Sequence, residues 1–594
     1  MRRRLGPSLL LALLALALPA AASASIGAPE RTVEVLLELR HPGGLNSFVK
    51  AVSDPTSPSY RDYSTVEELV ARFGASKEDR NATLAWLGSR GLHGTVGPTG
   101  TYVTAPIAPA RADRMLPRTN GASASSAAAV GRRVPAALRG PVTAIEILGN
   151  RRNVTKNLAS ASGAEHSAKH ANYSSVLTHS GTSTGCAAGR TGPGAPVAPP
   201  FTPNQYLSAY GIAAMHDRGL RGQGQSVALV EVDGFRHSDI ETFDKCFGVK
   251  TAPIRVVPVN PITKPYTGGA ETTLDLEVLS AGAPNVDHID VYEGLGTEAG
   301  IILTAATALG SRGHHPDVIS VSLGICEPKY SEHLIYRRAM DNIFALAEGA
   351  GISTLVAAGD TGSSGCRIDS KAGTTALPLP TVSLPSSSPY VTAVGGTNLR
   401  LNRENRIDSE IVWNDWPELA GGGAGGVSLL TPRRPWWQRV PALGRFGTGR
   451  IVPDIAALAD VFPGYAYFCT SPECADLPQL STPGWTSIGG TSAAAPLMAS
   501  GVALANQFAA RHGQRPLGFL NPLLYRFGAT GKTRRGVFRD VTKGNNDLGS
   551  LLPKEVGGGH PLGCCGARPG YDWASGWGSL KVLGFAKAAS RAAP

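Results

Sequence analysis

The chain has 594 residues, of which 42% are hydrophobic and 17% are charged, a composition that supports a large buried core and excludes wholesale disorder. The net charge of +11 is concentrated at the start: residues 1–200 hold 22 basic and 12 acidic residues, whereas residues 201–594 hold 34 and 33. The larger part of the chain is therefore nearly neutral, which argues against a nucleic-acid-binding surface.

The first 24 residues have the pattern of a secretion signal. Arg2 to Arg4 form a basic segment, Leu9 to Leu18 an apolar segment, and Ala22 to Ala24 supply the small residues that a signal peptidase needs. The alternative is a membrane anchor, but the apolar segment is shorter than the roughly 18–20 residues of a transmembrane helix. We therefore expect a secreted, extracellular protein without a membrane partner.

Two regions of different character follow the signal. Residues 25–150 combine short apolar strands with helical spacing of apolar residues, which predicts a compact α+β unit. The predicted strands are 32–39, 95–103 and 142–148, and the predicted helices are 44–52, 65–73 and 79–90. Residues 151–200 are rich in Ala, Ser, Gly and Pro, which predicts a flexible linker that proteases can reach.

From residue 201 to residue 594, apolar strands alternate with helices. The predicted strands are 226–232, 318–322, 352–358 and 391–394, and the predicted helices are 270–281, 299–309, 335–348 and 491–512. This alternation predicts an α/β fold with a mostly parallel sheet and helices on both faces.

The eight cysteines of an exported chain favour disulfides over metal binding, because no paired C-x-x-C spacing occurs. Many pairings remain open from the sequence alone. The candidate pairs are Cys186 with Cys246, Cys326 with Cys366, and Cys469 with Cys474. Cys564 and Cys565 are adjacent and are not expected to pair with each other.

The motif Gly-Gly-Thr-Ser-Ala-Ala-Ala-Pro at 489–496 places Ser492 in the first turn of a predicted helix, where the helix dipole favours developing negative charge. Such a serine is a nucleophile or an ordinary helix cap. In a Ser/His/Asp triad, a histidine takes the proton from the serine. Asp233 follows a predicted strand, as the aspartate of such a triad does. The candidate histidines, however, stand in unsuitable contexts: His288, His314 and His315.

Carboxylates offer a second route to a base. Glu271 and Asp275 are four residues apart and share one face of a predicted helix, which suits a base and its orienting partner. Asp360 follows an apolar strand, at the sheet edge where α/β proteins place their sites. The alternatives are a solvated acidic helix face for the pair and a turn-forming aspartate beside glycine for Asp360.

Together, and in this chain order, these motifs resemble the sedolisin (serine-carboxyl) peptidases, kumamolisins among them. The resemblance implies that Ser492 is the nucleophile, Glu271 the base, Asp275 the residue that orients it and Asp360 the acid of the oxyanion hole. It also implies a subtilisin-like catalytic domain at 201–594, a ferredoxin-like activation prodomain at 25–150 that inhibits it, and maturation cleavage within 151–200.

The resemblance extends to a calcium loop near the end of the chain. It implies one structural calcium ion held by two carboxylates and three backbone carbonyls, which suit a hard cation: Asp540, Asp572 and the carbonyls of Val541, Arg568 and Gly570. A glycine-rich turn without metal is the alternative. Glu231 matches a second glutamate that some members hydrogen-bond to the catalytic one, but the tryptophan that accompanies it there is Leu323 here.

A site of this kind is expected to work in acid. An aspartate donates a hydrogen bond only when protonated, which at pH 7 costs about 4 kcal/mol from an ordinary pKa of ~3.9. One oxyanion-hole donor is worth roughly 2.7–4 kcal/mol, so the cost cancels the benefit unless burial raises the pKa. Because Glu271 must stay ionised, we expect a bell-shaped pH profile centred on the acidic side.

Residues 25–200 carry 19 basic and 12 acidic residues, so the prosegment is expected to dock partly by pairing with carboxylates of the catalytic domain and to be released when acid neutralises them. The expected product is a monomeric peptidase that acts on peptides and proteins. A catalytically inactive peptide-binding relative is the alternative. The sequence leaves open the choice between endopeptidase and tripeptidyl-peptidase action.

Overall fold

A computed structural model describes residues 32–118, 131–149, 155–156, 159–160, 181–193, 199–310, 313–330, 333–363, 379–415, 421–444, 446–475, 484–551, 554 and 559–592. The predicted secretion signal, Cys366 and most of the predicted linker lie outside these residues. Within the described ranges, the longest apolar helices fall short of what is needed to cross a membrane.

The N-terminal unit is built on an antiparallel sheet. Its strands are β1 (Val33–Leu39), β2 (Thr95–Val96), β3 (Tyr102–Ile107), β4 (Gly131–Arg132) and β5 (Val142–Leu148). They lie in the order β2-β3-β1-β5-β4. The accompanying helices are Leu45–Ser53, Val66–Phe73, Lys77–Gly88 and Pro109–Met115. This arrangement confirms the ferredoxin-like α+β prodomain fold.

The two faces of β1 serve two different hydrophobic cores. The alternation of the strand directs Val35, Leu37 and Leu39 into the core of the N-terminal unit itself. Leu36 points the other way, into the large core that the rest of the chain forms. The unit therefore docks on the larger domain through an apolar face as well as through polar contacts.

Two short linker strands, β6 (Thr155–Lys156) and β7 (Ala159–Ser160), precede the larger domain. The strands of that domain are β8 (Ser226–Glu231), β9 (Ile254–Pro258), β10 (His288–Glu293), β11 (Val318–Val321), β12 (Leu323–Cys326), β13 (Ser353–Ala357), β14 (Ser383–Leu384), β15 (Thr392–Leu401), β16 (Ile407–Val412), β17 (Gly426–Val427), β18 (Ile451–Val452), β19 (Ile455–Leu458), β20 (Tyr465–Cys469), β21 (Gly484–Gly489), β22 (Phe538–Arg539) and β23 (Ser579–Leu580).

A central sheet with the order β22-β23-β19-β15-β13-β11-β8-β10-β9 organises the larger domain. Neighbours from β9 to β19 are parallel, while β16 and β22 add antiparallel edges. Every residue of β8 is buried, as expected for a parallel strand covered on both faces. The predicted subtilisin-like α/β fold is thereby confirmed.

Helices flank the central sheet. They are Ala187–Thr191, Pro203–Ala209, Ala213–His216, His237–Phe247, Glu271–Gly282, Glu298–Thr307, Leu334–Gly349, Pro472–Ala475, Thr491–Arg511, Asn521–Ala529, Gly531–Val537 and Val582–Arg591. The sequence does not predict His237–Phe247, because charged residues dilute its apolar spacing. Its buried side chains, Ile240 and Phe243 among them, nevertheless share one helix face.

The disulfides agree with the sequence in part. The predicted pairs Cys186–Cys246 and Cys469–Cys474 are both present. Cys326 is also disulfide-bonded, and its predicted partner Cys366 lies outside the described residues. The expectation for Cys564 and Cys565 is wrong, since these adjacent residues are bonded to each other in a turn where Cys565 adopts φ +74°.

Candidate active site

Ser492 stands in the first turn of helix Thr491–Arg511, directly after β21. The glycines before it make this turn possible, since Gly490 has φ +108° and a Cβ on Gly489 would come within 2.4 Å of the carbonyl oxygen of Ala459. The side chain of Ser492 is fully buried at the positive end of the helix dipole.

Glu271 accepts the hydrogen bond of the Ser492 hydroxyl. Ser492 Oγ donates to Glu271 Oε1 and lies 3.2 Å from the carbonyl oxygen of Ser322. Among the described histidines, none hydrogen-bonds to this hydroxyl. The predicted serine and glutamate are thus in direct contact, although 221 residues separate them in the chain.

Asp233 fixes the start of the helix that carries Glu271. Its Oδ2 accepts the N–H of Glu271 at 3.2 Å, and its Oδ1 accepts the N–H of Thr272 at 3.1 Å and the hydroxyl of Thr272 at 2.7 Å. These bonds satisfy donors that have no partner inside helix Glu271–Gly282. Asp233 therefore caps this helix and does not orient a histidine.

Asp275 lies one turn after Glu271 and contacts Ser322. Ser322 Oγ lies 2.6 Å from Asp275 Oδ2 and 3.3 Å from the carbonyl oxygen of Ser492. That carbonyl has no helical donor, because Pro496, four residues later in the helix, lacks an N–H. Ser322 thus connects Asp275 to the helix of the candidate nucleophile.

Three carboxyl groups are fully buried at this point: Glu231, Glu271 and Asp275. Burial and then the charge of Asp275 raise the pKa of Glu271 well above its usual range, against the hydrogen bond from Ser492. Burial raises the pKa of Asp275 to about 8, although the hydrogen bond from Ser322 lowers it. Burial and repulsion also raise the pKa of Glu231. The cluster therefore carries fewer negative charges than carboxyl groups at neutral pH.

Asp360 follows β13 and is tied to the residue before Ser492. Its Oδ1 accepts the N–H and the hydroxyl of Thr491, both at 2.8 Å. Its Oδ2 is buried without a hydrogen-bond partner in the described part of the chain. Burial raises the pKa of Asp360 to about 7, against the bonds from Thr491. Oδ2 is thus the oxygen that is free to carry a proton and donate it.

The linker lies against both sides of this site. Strand β6 pairs antiparallel with β12, with Lys156 opposite Leu323, the residue after Ser322. Strand β7 pairs antiparallel with β21, with Ala159 opposite Gly489, three residues before Ser492. These pieces of the linker are therefore paired in the manner of a bound peptide strand, which differs from the freely accessible linker that the composition predicts.

Several carboxylates of the docked N-terminal unit contact basic residue types of the larger domain. The pairs are Glu38 with Arg338 at 2.6 Å, Glu146 with His333 at 2.6 Å, and Glu67 with His315 at 3.2 Å. In the linker, Lys156 pairs with Asp233 in the expected sense. The interface therefore contains a pair of the expected kind, Lys156 with Asp233, beside three pairs of the opposite polarity.

The predicted calcium ligands come together in one loop pair. Asp540 accepts the N–H of Gly570 at 2.9 Å, and Asp572 accepts the N–H of Arg568 at 2.9 Å. Within the described ranges, the carbonyls of Val541, Arg568 and Gly570 accept no hydrogen bond. No group of three or more His, Cys, Asp or Glu side chains suited to a metal occurs in these ranges, so a cation here would depend on those carbonyls.

The sequence reasoning missed several residues that build the site. Thr491 directly precedes Ser492 in the Gly-Gly-Thr-Ser motif, and Ser322 ends a predicted buried strand. Their positions beside these features could have indicated that both belong to the site. The bonds of Asp233 to Thr272 and Lys156 join segments that are distant in the chain, and no local pattern indicates them.

Comparisons with known proteins agree with this fold. The Pro-kumamolisin activation domain family matches residues 27–151, and the subtilase family matches residues 272–516. Kumamolisin of Bacillus sp. (strain MN-32) is 34% identical over 389 residues, 64% of this chain and 62% of that protein. Tripeptidyl-peptidase 1 of Mus musculus is 28% identical over 580 residues, 93% of this chain and 90% of that protein.

Among solved structures, Pseudomonas sedolisin, a serine-carboxyl proteinase, superposes with a TM-score of 0.52 at 23% identity, over 65% of this chain and 97% of that one. Fold and site together define a subtilisin-like serine peptidase with carboxyl groups around its serine. The chain is similar to kumamolisin, and its N-terminal part matches the activation domain that precedes such peptidases in a zymogen.

Proposed function

We propose that the protein is a secreted, acid-active peptidase that hydrolyses peptide bonds through an acyl-enzyme on Ser492, with Glu271 as general base. The observation that carries this proposal is the hydrogen bond from Ser492 Oγ to Glu271 Oε1. A base must lie within hydrogen-bond reach of the proton that it removes, and Glu271 meets that requirement.

In the proposed reaction, Ser492 Oγ bonds to the substrate carbonyl carbon while its proton passes to Glu271. When the intermediate collapses, the C–N bond breaks and Glu271 returns the proton to the departing amine. Water then attacks the acyl group by the same proton transfers and frees Ser492. Asp275, one turn from Glu271 and bonded to Ser322, is the positioning residue for the base.

Asp360 is proposed as the oxyanion-hole acid. Its bonds to Thr491 hold it beside the first turn of the serine helix, and its Oδ2 has no other described partner. An aspartate with an ordinary pKa would cost about 4 kcal/mol to protonate at pH 7. For Asp360 this cost is largely removed, because burial raises its pKa to about 7. A protonated Asp360 can therefore stabilise the oxyanion up to that pH.

The pH profile of the mature enzyme tests this assignment. Activity is expected to fall as pH rises through about 7, because Asp360 then ionises and loses the proton that it donates. In acid, Glu271 takes up a proton and activity falls again. Asp360→Asn donates at every pH, so its alkaline limb is expected to move up by about one unit or more when kcat/KM is measured. A flat profile in the wild type, or an unmoved limb in the variant, contradicts the role of Asp360.

The precursor is proposed to be divided into a signal at 1–24, a prodomain at 25–150, a linker at 151–200 and a catalytic domain at 201–594. The pairing of β6 and β7 on either side of Ser492 supports inhibition by occupation of the site, with a first maturation cut between Lys156 and Ala159. Acid that neutralises carboxylates of the catalytic domain is proposed to weaken the docking of the prodomain.

Secretion is supported by the basic and apolar N-terminal segment and by the disulfides. In the described residues every cysteine is disulfide-bonded, as expected in an oxidising compartment. We expect a monomer that acts on peptides and proteins. Tripeptide release and internal cleavage both remain compatible with the proposed chemistry.

One structural calcium ion is proposed at Asp540 and Asp572, as the family resemblance implies. The carbonyls that accept no hydrogen bond, those of Val541, Arg568 and Gly570, supply the remaining ligands. When bound, the ion contributes positive charge that holds the two loops together, and no step of the reaction passes through it.

Removal of calcium is expected to lower the thermal stability of the mature enzyme. Saturation at a hundred times Kd stabilises a fold by about 2.7 kcal/mol, so EDTA should lower Tm by a few degrees and added calcium should restore it. Asp540→Asn should lose this response in differential scanning fluorimetry. Asp547→Asn is the control, because Asp547 accepts the N–H groups of Gly549, Leu562 and Gly563 and is not one of the proposed calcium ligands. If EDTA does not change the Tm of the wild type, the proposed calcium site is excluded.

A further inference from the structure

The linker brings a lysine into the active-site cleft. Lys156 pairs with Leu323 in the β6–β12 ladder, and its Nζ donates to Oδ2 of Asp233. The Asp233 side chain is 9% exposed and the Lys156 side chain 35% exposed, so the ion pair is partly shielded from water. Neither residue belongs to the proposed proton-transfer group of Ser492, Glu271 and Asp360.

Asp233 is held in place before any lysine arrives. Both of its carboxylate oxygens accept bonds from the start of helix Glu271–Gly282, through Glu271 and Thr272. Gly269 leaves room for it, since a Cβ there would lie 2.3 Å from the carboxyl carbon of Asp233. A fixed carboxylate loses little conformational entropy when it binds a cation, which favours binding.

The surroundings of the lysine are negative. Burial lowers the pKa of Lys156, but the attraction of the carboxyl groups of Asp233, Glu271 and Glu231 is stronger. The pKa of Lys156 is therefore raised. Glu473 also lies near enough to interact with Lys156, without a hydrogen bond to it. Arg236 is the cation near Glu473, and it donates to the carbonyl oxygen of Thr470 at 2.9 Å, away from the lysine.

We propose that Asp233 is a specificity-determining residue that selects a lysine or arginine side chain at the substrate position paired with Leu323. This inference rests on the proposed peptidase function. A substrate strand that pairs with β12 as the linker does brings one side chain to Asp233, as Lys156 shows. Because Ala159 pairs on the other side of Ser492, that side chain belongs to the acyl part of the substrate.

The test uses peptides copied from residues 154–161, Val-Thr-X-Asn-Leu-Ala-Ser-Ala, with lysine, norleucine or glutamate at X. Norleucine keeps the apolar stem of lysine and lacks its charge. Self-processed wild type is expected to show a kcat/KM about tenfold higher for lysine than for norleucine, and least for glutamate. In Asp233→Asn and Asp233→Ser, which both retain a helix-capping group, the lysine-to-norleucine ratio is expected to fall to about one.

The ratio is taken within each variant, so a partial loss of folded enzyme cancels. Glu473→Gln is the matched control and should keep most of the lysine preference, since Glu473 bonds to Ser471 and acts on the lysine through charge alone. A second readout uses the precursor: Lys156→Gln should slow self-processing about tenfold, and Lys156→Arg should not.

The outcomes separate the two proposals. If wild type cleaves all three peptides with equal kcat/KM, or if both Asp233 variants keep the lysine preference, the subsite is wrong while the peptidase stands. If wild type cleaves none of the peptides and no other substrate in acid, the peptidase itself is wrong and the subsite fails with it.

Discussion

Replacing Ser492 by alanine is expected to leave the precursor at full length after incubation at about pH 4, whereas the wild type shortens itself. In the proposed mechanism, the hydroxyl oxygen of Ser492 attacks the linker, and no second described hydroxyl bonds to Glu271. In subtilisin, removal of the serine costs about a millionfold in kcat, and a loss of that order is expected here. Denaturing gels and mass spectrometry of the products give the extent and position of cleavage.

Ser500→Ala is the matched control for this experiment. Ser500 lies in the same buried helix and bonds only to the carbonyl oxygen of Leu497, so its loss should leave processing intact. If Ser492→Ala shortens at the wild-type rate, self-processing by this serine is wrong. If the wild type itself neither shortens nor cleaves peptides, the protein is an inactive peptide-binding relative.

Replacing Glu271 by glutamine is expected to lower kcat by about ten-thousandfold with little change in folding. The amide keeps the size of the side chain and still hydrogen-bonds to Ser492, but it cannot take the proton from the hydroxyl. The neutral amide also places no unpaired charge in this fully buried site, so the fold is expected to be retained. Burst and steady-state kinetics on a peptide substrate measure the effect.

Glu277→Gln provides the comparison on the same helix. Glu277 is equally buried, yet its carboxyl accepts the N–H of Phe468 at 3.2 Å and does not reach Ser492. If Glu277→Gln keeps a near-normal kcat while Glu271→Gln loses almost all of it, Glu271 is the general base. Equal activity in both variants would falsify a mechanism in which carboxyl groups replace histidine.

The features that the sequence predicts are those that depend on local pattern. The buried strand β8, the serine helix with its two preceding glycines and the position of Asp360 after β13 each follow from neighbouring residues. The four-residue spacing of Glu271 and Asp275 places both on one helix face, which local geometry alone requires.

The contacts between distant segments could not be predicted in the same way. Ser322 and Asp275 are 47 residues apart in the chain, and Thr491 and Asp360 are 131 residues apart. Each pair comes into contact only when the sheet assembles. The net charge of the prodomain also could not predict which of its charged residues lie at the interface. Glu38, Glu67 and Glu146 are a minority on a basic segment, yet they lie at the contact surface. Net charge reports the average of a surface and not the groups at one interface.

The Cys186–Cys246 bond changes what maturation can release. Cys186 belongs to the linker and Cys246 to helix His237–Phe247 of the catalytic domain. If a second cut follows the first and falls after Cys186 but before residue 199, the excised stretch stays covalently attached to the enzyme that excised it. Unreduced samples would then migrate as one species with two N-terminal sequences, and reduction would split off a small peptide without any further proteolysis.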